Sequence, residues 1–486
     1  MTPESHRRRP LPRRAAPAVL LCLVLLAAPA LALGPAPPIV WEATFEGEGT
    51  PFATDVLRDL AVNGAGEICA TGLSAVESGA TAAATVYYEP DGTERWRHLY
   101  VAPETAGVEE GLAVFLDDTG RCRVAGRRSS AETGPDVLVL EYGPQGDLLW
   151  SASWDGETSG GFDVAVDVTA DAAGNVYAVA LTAGDGTGWD FVTLKVDATG
   201  EQLWARTFDG PLAAEDRPVG VEVDADGNVY VAGTASVSNP FADDLVVIKY
   251  DPDGNELWSE LLDGGVGGAD KAAALALDAD GHPYVAARLL QPPGAEWQAG
   301  VVKLLPDGSH DWTGTFGHPA AGIPEDVRGL ALGIDGAVTV LATGSDDVVT
   351  GRFDAAGTLV WDHLHDNVSI ADLAARPLAV DSDGNAYVVA YDFVPDRGYD
   401  FFTYRLEAAD GAFAWGQTFG EEGEEADDFP GVVAVDARGD LLVGGTVKPG
   451  GITFENDWTI LKYGASQLFA DGFETGDTSA WSSTSG

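Results

Sequence analysis

Basic residues are scarce in this sequence. It has 27 lysines and arginines against 77 aspartates and glutamates, which gives a formal charge of −50. The first 32 residues hold five of the arginines and one glutamate, so the rest of the chain carries a charge close to −54. Such a field repels phosphate backbones and anionic lipid headgroups. We therefore expect no nucleic acid partner, and we expect a cation, a glycan or a protein as the ligand.

Cysteine is also rare, which excludes a disulfide-stapled scaffold. Of the three cysteines, Cys22 lies in an N-terminal apolar segment. Cys69 and Cys122 occupy nearby positions in neighbouring repeats, offset by one residue. One residue reverses the direction of a side chain along a strand. This offset argues against a bond between them, and we leave their pairing open.

Long apolar runs are missing except at the N-terminus. There, a basic stretch from His6 to Arg14 precedes the apolar residues 15–26, and Ala30, Leu31 and Ala32 form a small-x-small cleavage site. This order is typical of a secretory signal peptide. We predict a signal peptide at 1–32, a proline-rich linker at 33–40 and a secreted mature protein without a membrane span. A retained membrane anchor is the alternative.

Helical periodicity is absent too, while tryptophan recurs with a fixed period. Seven spacings, six of 54 or 55 residues and one of 49, separate eight tryptophans: Trp41, Trp96, Trp150, Trp204, Trp258, Trp312, Trp361 and Trp415. A period of this size indicates a solenoid or a propeller. We expect these rings to be structural and to fill the wedge between neighbouring units.

The content of one repeat selects the propeller. Residues 219–264 read as four short apolar strands, joined in pairs at Asp226-Gly227 and Asp253-Gly254. Asp-Gly between alternating apolar residues is a strong hairpin signal. Two hairpins in tandem form a four-stranded antiparallel meander, which is one propeller blade. We predict an all-β, eight-bladed β-propeller over residues 41–463.

The repeats are out of phase with the ends of the chain. A fourth-strand segment, Val40 to Phe45, comes first, and a third-strand segment, Asp457 to Tyr463, comes last. The first segment can therefore complete the last blade, which closes the ring and removes its open edges. Residues 464–486 fall outside the repeat as a C-terminal tail, and they form a candidate sorting segment or a linker remnant.

The repeat resembles the bacterial secreted β-propeller repeat family, through stretches such as Asp226-Gly227-Asn228-Val229-Tyr230-Val231-Ala232-Gly233-Thr234. The resemblance covers almost the whole mature chain and implies the fold and secretion, but hardly any activity. A weaker similarity links Asp197 to Trp204 with the tryptophan-docking repeat of eight-bladed quinoprotein dehydrogenases. That motif is one residue shorter here, and the chain lacks the adjacent cysteine pair, so the similarity implies blade packing. We expect no cofactor.

An acidic residue recurs 10 to 12 residues before the glycine of each first hairpin turn. We call these residues the acidic ring: Asp55, Glu109, Asp163, Asp216, Asp270, Asp326, Asp372 and Asp428. First strands line the channel of a propeller, which places the ring at the channel mouth. It could bind calcium or another cation through carboxylate oxygens. Alternatively, each acid accepts backbone N–H groups in its own loop.

No nucleophile elbow, HExxH motif or phosphate-binding glycine loop is present. We therefore expect a monomeric, non-catalytic binding or scaffold module. The alternative is a propeller enzyme, such as a lyase, a hydrolase or a quinoprotein, with its site at the channel mouth. Asymmetry separates the two, because an enzyme needs unique polar residues that converge on the axis. The irregular repeat around Trp361, with His363 and His365, is the place to look.

Overall fold

A computed structural model gives the fold of the chain. The structure describes residues 36–47, 54–76, 80–103, 107–130, 134–156, 161–184, 186, 188–212, 214–238, 242–264, 268–290, 297–317, 326–344, 347–371, 375–395, 397–420, 427–448 and 456–464. The predicted signal peptide, the start of the predicted linker and all but the first residue of the predicted tail lie outside these ranges, as does Asp372.

All regular elements in these ranges are strands. Strand β1 is Ile39–Phe45. Blades one to four comprise β2 Asp55–Val62, β3 Ile68–Ala75, β4 Thr81–Tyr88, β5 Glu94–Tyr100; β6 Glu109–Leu116, β7 Cys122–Ser130, β8 Gly134–Tyr142, β9 Leu148–Trp154; β10 Val164–Ala170, β11 Val176–Ala183, β12 Trp189–Val196, β13 Gln202–Phe208; and β14 Arg217–Val223, β15 Val229–Ser238, β16 Ala242–Tyr250, β17 Glu256–Leu262.

The remaining blades follow the same order. They comprise β18 Lys271–Leu277, β19 Pro283–Leu290, β20 Trp297–Leu304, β21 His310–Phe316; β22 Asp326–Leu332, β23 Val338–Thr343, β24 Asp347–Phe353, β25 Leu359–Asp366; β26 Leu378–Val380, β27 Ala386–Val394, β28 Gly398–Leu406, β29 Phe413–Phe419; and β30 Phe429–Val435, β31 Leu441–Val447, β32 Asp457–Tyr463. Neighbouring strands pair antiparallel in every blade. The predicted eight-bladed propeller of four-stranded blades is confirmed.

The N-terminal strand closes the ring. β1 pairs antiparallel with β32, with Trp41 opposite Lys462 and Phe45 opposite Trp458. Blade eight therefore consists of β30, β31 and β32 from the C-terminus and β1 from the N-terminus. The predicted closure is confirmed. In blade eight, the outermost strand β1 and its neighbour β32 therefore come from opposite ends of the propeller sequence.

Strand composition follows position in the blade. The third strand β12 has seven of its eight residues buried, because its two faces pack against neighbouring blades. The fourth strand β17 has no buried residue, and it forms the outer edge of its blade. The core accordingly lies between blades: one cluster joins Tyr177 and Phe191 of blade three to Val229 and Ile248 of blade four.

The tryptophans connect consecutive blades. Trp204 of blade three donates its indole N–H to the carbonyl oxygen of Pro252 in the turn of blade four at 3.2 Å. A Cβ on Gly254 of that turn would lie 2.7 Å from the Trp204 ring, and Gly254 also has a φ of +77°. Glycine is therefore required there on two counts. The same ring-on-glycine contact recurs for Trp41, Trp96, Trp150, Trp258, Trp312 and Trp361.

Cys69 and Cys122 form a disulfide between blades one and two, with Cα atoms 6.3 Å apart. Both side chains are fully buried in the cluster that joins these blades. Equivalent positions of two blades point the same way around the ring and cannot meet. A side chain of blade one that points towards blade two can meet only a side chain of blade two that points back towards blade one. Because side-chain direction alternates along a strand, two such residues differ in strand position by an odd number. The one-residue offset that argued against the bond is therefore what the bond requires.

Candidate ligand site in the central channel

A cavity of about 640 Å³ lies on the propeller axis. First-strand residues of blades one to seven line it, and most are apolar. The charged side chains among the lining residues are Asp59, Asp167, Glu222, Arg328 and Arg376. Pockets that combine apolar walls with a few convergent polar groups are the usual form of a small-molecule site. This cavity is therefore the candidate functional site.

Two of these carboxylates occupy β-bulges. The first strand of every blade except blade seven shifts register at one equivalent position. Asp59 and Asp167 are the first paired residues after the shift in blades one and three. In the other blades with a shift, the residue that follows it is small or apolar: Ala113, Gly220, Ala274, Gly329 and Val432. Bulges commonly re-aim a side chain near functional sites, and here two acids break the eightfold pattern.

Both bulge carboxylates bridge their own blade to the next one. Asp59 accepts hydrogen bonds from the backbone N–H of Leu60 and of Val114 in blade two, both at 2.9 Å. Asp167 accepts from Val168 at 2.9 Å and from Val221 in blade four at 3.0 Å. Much of their hydrogen-bonding capacity therefore goes into holding first strands together around the channel.

Arg376 enters the cavity from blade seven. Its Nη2 donates to Asp59 Oδ2 at 2.9 Å and to the Val114 carbonyl oxygen at 3.3 Å. Its main chain bonds to Gly431 and Val433 of blade eight. Blade seven has the shortest first strand, β26 with three residues. This local departure from the repeat brings the backbone of Arg376 beside β30 and its guanidinium to the channel wall formed by blades one and two.

Glu222 faces the same cavity without a protein partner, since within the described residues it forms no hydrogen bond or ion pair. Its strand position is unique, because the equivalent residues of the other blades are Ala61, Phe115, Thr169, Ala276, Ala331, Ala379 and Ala434. Desolvation inside the channel raises the pKa of Glu222 to about 8, and the charge of Asp167 adds to the effect while Arg376 opposes it.

The pKa values of Asp59, Asp167 and Arg376 are also shifted in the channel. Desolvation raises the pKa of Asp59 to about 6, although Arg376 and the backbone N–H groups partly offset it. Desolvation also raises the pKa of Asp167, against the attraction of Arg376. The pKa of Arg376 itself is raised, chiefly by Asp59. At neutral pH the cluster therefore holds a guanidinium ion and a mostly protonated glutamate, and the carboxyl groups of Asp59 and Asp167 are easier to protonate than those of exposed aspartates.

Sequence reasoning did not find these four residues. Asymmetry was the stated criterion, and it pointed to the repeat around Trp361. In the closed ring, Trp361 lies in β25, the fourth strand of blade six, and His365 packs there against Tyr404 with ring centroids 4.7 Å apart. The asymmetry lies instead on first strands. A comparison of the eight first strands, residue by residue, would have singled out Asp59, Asp167 and Glu222.

The acidic ring has a different placement. Its members Asp55, Glu109, Asp163, Asp216, Asp270 and Asp428 are almost fully buried at the starts of first strands. Asp270 accepts the N–H of Gly264 at 2.5 Å and of Leu290 at 2.7 Å, and Asp216 accepts those of Gly210 and Ser236. Asp326 departs from this pattern and is 44% exposed. None of the seven described members is among the residues that line the axial cavity.

Three members of the acidic ring belong to triads of aspartates, at the end of the propeller where fourth strands lead into first strands. The triads, whose carboxylate oxygens lie within 4.8 Å of one another, are Asp136, Asp155 and Asp163; Asp190, Asp209 and Asp216; and Asp244, Asp263 and Asp270. Each combines the third strand, the end of the fourth strand and the start of the next first strand. Carboxylate oxygens at this spacing suit a hard cation. In the third triad, desolvation and the neighbouring aspartates raise the pKa of Asp244.

Comparisons with known proteins show no family for this chain. No protein-family model and no curated protein sequence matches the chain. Similar solved structures include a puromycin hydrolase S511A mutant complexed with PGG (16% identity, TM-score 0.43, 81% of this chain and 59% of that one). They also include the WD40 domain of SCAP from fission yeast (8%, 0.47, 84% and 96%) and polysaccharide lyase Uly1 (10%, 0.43, 75% and 91%). The chain thus spans about three fifths of the hydrolase.

Proposed function

We propose that this chain is a secreted, non-catalytic binding propeller of the bacterial repeat type, and that its ligand is a small molecule held in the axial channel. One observation carries the proposal: Asp167, Glu222 and Arg376, which depart from the repeat, line a single cavity. In contrast, polar residues that recur in most blades bond to turns and loops. Asp224, for example, accepts the N–H groups of Asp226 and Asn228 in its own turn.

The composition of the cavity favours binding over covalent catalysis. Within the described residues, its lining contains no serine, cysteine, histidine, lysine or tyrosine. Threonine and carboxyl groups can also act as nucleophiles, and the lining holds Thr169 and three carboxyl groups. However, Asp59 and Asp167 each already accept two backbone N–H groups. A propeller enzyme at the channel mouth is therefore the less favoured alternative.

A blocked channel tests this proposal. Val166 lines the cavity and is 38% exposed, so Val166→Trp places a large ring inside it. Leu203→Trp is the control, because Leu203 is 52% exposed on the outer strand β13. We expect at least one compound from a panel of amines, amino acids, sugars and alcohols to raise the melting temperature of the mature protein and of Leu203→Trp, but not of Val166→Trp. Stabilisation that survives the block, or no stabilisation of the wild type, contradicts the proposal.

We also propose calcium as a ligand of the acidic face, on the strength of the three repeated triads. The exposed triad members Asp155, Asp209 and Asp263 are the ones to neutralise, and the matched control changes the exposed turn residues Asp226, Asp253 and Asp280 to asparagine. Millimolar calcium should raise the melting temperature of the wild type and the control, and a chelator should reverse it. No shift in the wild type, or an equal shift in the triad variant, contradicts calcium binding there.

Secretion and a monomeric state complete the proposed function. They are supported by the N-terminal sequence and by the closed ring, in which every blade has its fourth strand. N-terminal sequencing of the exported protein should begin after Ala32. Light scattering should give the mass of one mature chain. A retained leader or a dimer mass contradicts these two points.

A further inference from the structure

The carboxyl groups around the axial cavity outnumber its guanidinium groups by three to two. Three carboxyl groups, Asp59, Asp167 and Glu222, face one guanidinium at its centre, that of Arg376. Arg328 also lines the cavity, with its Nη2 3.7 Å from Asp326 Oδ2. A cavity with a surplus of carboxyl groups favours a ligand that brings positive charge.

The three carboxyl groups differ in how much of their hydrogen-bonding capacity is already used within the protein. Asp59 accepts two backbone N–H groups and the Arg376 guanidinium. Asp167 accepts two backbone N–H groups. Glu222 receives no hydrogen bond from the described residues, although it lies half-buried in the channel wall. A carboxyl group that has lost part of its hydration and has gained no partner is destabilised in its ionised form. Glu222 is therefore the group that an incoming cation can satisfy.

The rest of the wall is apolar. Leu112, Phe115, Val166, Val219 and Leu275 line the same cavity as Glu222. These side chains can pack against hydrocarbon but cannot coordinate a bare metal ion, which takes six or more oxygen ligands in the case of calcium. The cavity volume of about 640 Å³ is that of a small-molecule site.

We propose that the channel binds a small organic cation, an alkyl amine or alkyl guanidine, with its charged head on Glu222 and its hydrocarbon body against the apolar wall. This inference rests on the proposed function, because it names the ligand class of the same cavity. The large negative charge of the whole chain supports it, since such a field concentrates cations at the surface.

Binding of this kind is linked to protons. The pKa of free Glu222 is about 8, so its carboxyl group is mostly protonated at pH 7, and an ammonium head favours the ionised form. Each bound amine should release close to one proton at pH 7, and its affinity should rise about tenfold from pH 6 to pH 7. Asp59, Asp167, Arg328 and Arg376 also face the cavity. Asp59, with a pKa of about 6, titrates near this range, and desolvation raises the pKa of Asp167 as well.

Calorimetry on the mature chain tests the inference with three matched probes, pentylamine, pentan-1-ol and pentanoate. The proteins are the wild type, Glu222→Gln, the channel-blocked Val166→Trp and Glu260→Gln, a control for the charge change on the exposed outer strand β17. Titrations at pH 7 in phosphate and in Tris buffer give the number of protons released, because the two buffers differ in ionisation enthalpy.

We expect pentylamine to bind the wild type and Glu260→Gln with proton release, and at least tenfold more tightly than pentan-1-ol or pentanoate. Glu222→Gln should lose the proton release and about tenfold in affinity, and Val166→Trp should lose binding. Equal binding of amine and alcohol, both lost in Val166→Trp, overturns the inference and leaves the channel as the binding site. Amine binding that is unchanged in Val166→Trp overturns both, and an amine that does not bind overturns the inference alone.

Discussion

The indole Nε1 of Trp41 donates a hydrogen bond to the carbonyl oxygen of Pro90 at 3.1 Å. Trp41 lies in the N-terminal strand, which completes blade eight, and Pro90 lies in a turn of blade one. This bond joins the two ends of the ring through the same contact that joins Trp204 to Pro252 within it. The N-terminal strand therefore takes part in the packing of two blades.

Deletion of residues 33–46 should strongly destabilise the protein or cause it to aggregate. The deletion removes β1, which exposes the backbone edge of β32 and the buried ring of Trp458. Unpaired edges and apolar surface both promote association. Thermal unfolding and light scattering measure the effect, with removal of residues 465–486 as the control. A melting temperature equal to that of the full mature chain contradicts the closure.

Gly254→Ala should destabilise the protein more than Gly439→Ala does. Both glycines have a left-handed φ, of +77° and +81°, so both substitutions carry the same conformational penalty of about 1–2 kcal/mol. Only at Gly254 does the added Cβ meet a tryptophan ring, whereas Gly439 has nothing within 4 Å. Chemical denaturation measures the two free energies of unfolding. Equal losses would show that the docking of Trp204 contributes little.

The disulfide between Cys69 and Cys122 should stabilise the folded protein by about 2–4 kcal/mol, the usual range for a disulfide. The oxidised mature protein should contain no free thiol. Urea unfolding with and without reductant measures the contribution, and Cys69→Ser is the control, since reductant should not change its stability further. Two titratable thiols in the unfolded, unreduced protein contradict the bond.

The sequence predicts the regular parts of this molecule and misses the irregular ones, for physical reasons. Tryptophans recur because seven of the eight dock on a turn of the next blade. The period of the repeat, and its phase at Val40 and Asp457, could therefore be read directly from the sequence. The pairing of Cys69 with Cys122 was misjudged because the offset was considered within one sheet and not across two facing sheets. Arg376 was invisible, since its entry into the channel depends on the backbone of blade seven departing from the repeat.

The stability of the protein should depend on pH through Glu222. Its carboxyl group has a pKa of about 8 when folded, against an ordinary value of 4.5. Between these values the unfolded chain binds fewer protons than the folded one, so the stability due to this group falls as pH rises and levels off above pH 8. Glu222→Gln removes that fall. The wild type should therefore lose more stability than the variant from pH 5 to pH 8.5 in urea unfolding, and parallel losses contradict the shift.

The central claim is that Glu222 is an uncompensated carboxyl group in the axial channel, and its titration tests this most directly. The side-chain carboxyl carbon of Glu222 can be followed by NMR in ¹³C-glutamate-labelled mature protein, and its signal is assigned as the one missing from Glu222→Gln. The account predicts a midpoint of about 8 for the ligand-free protein and a lower one with pentylamine bound. A midpoint near 4.5 in the ligand-free protein, the value of an exposed glutamate, would contradict it.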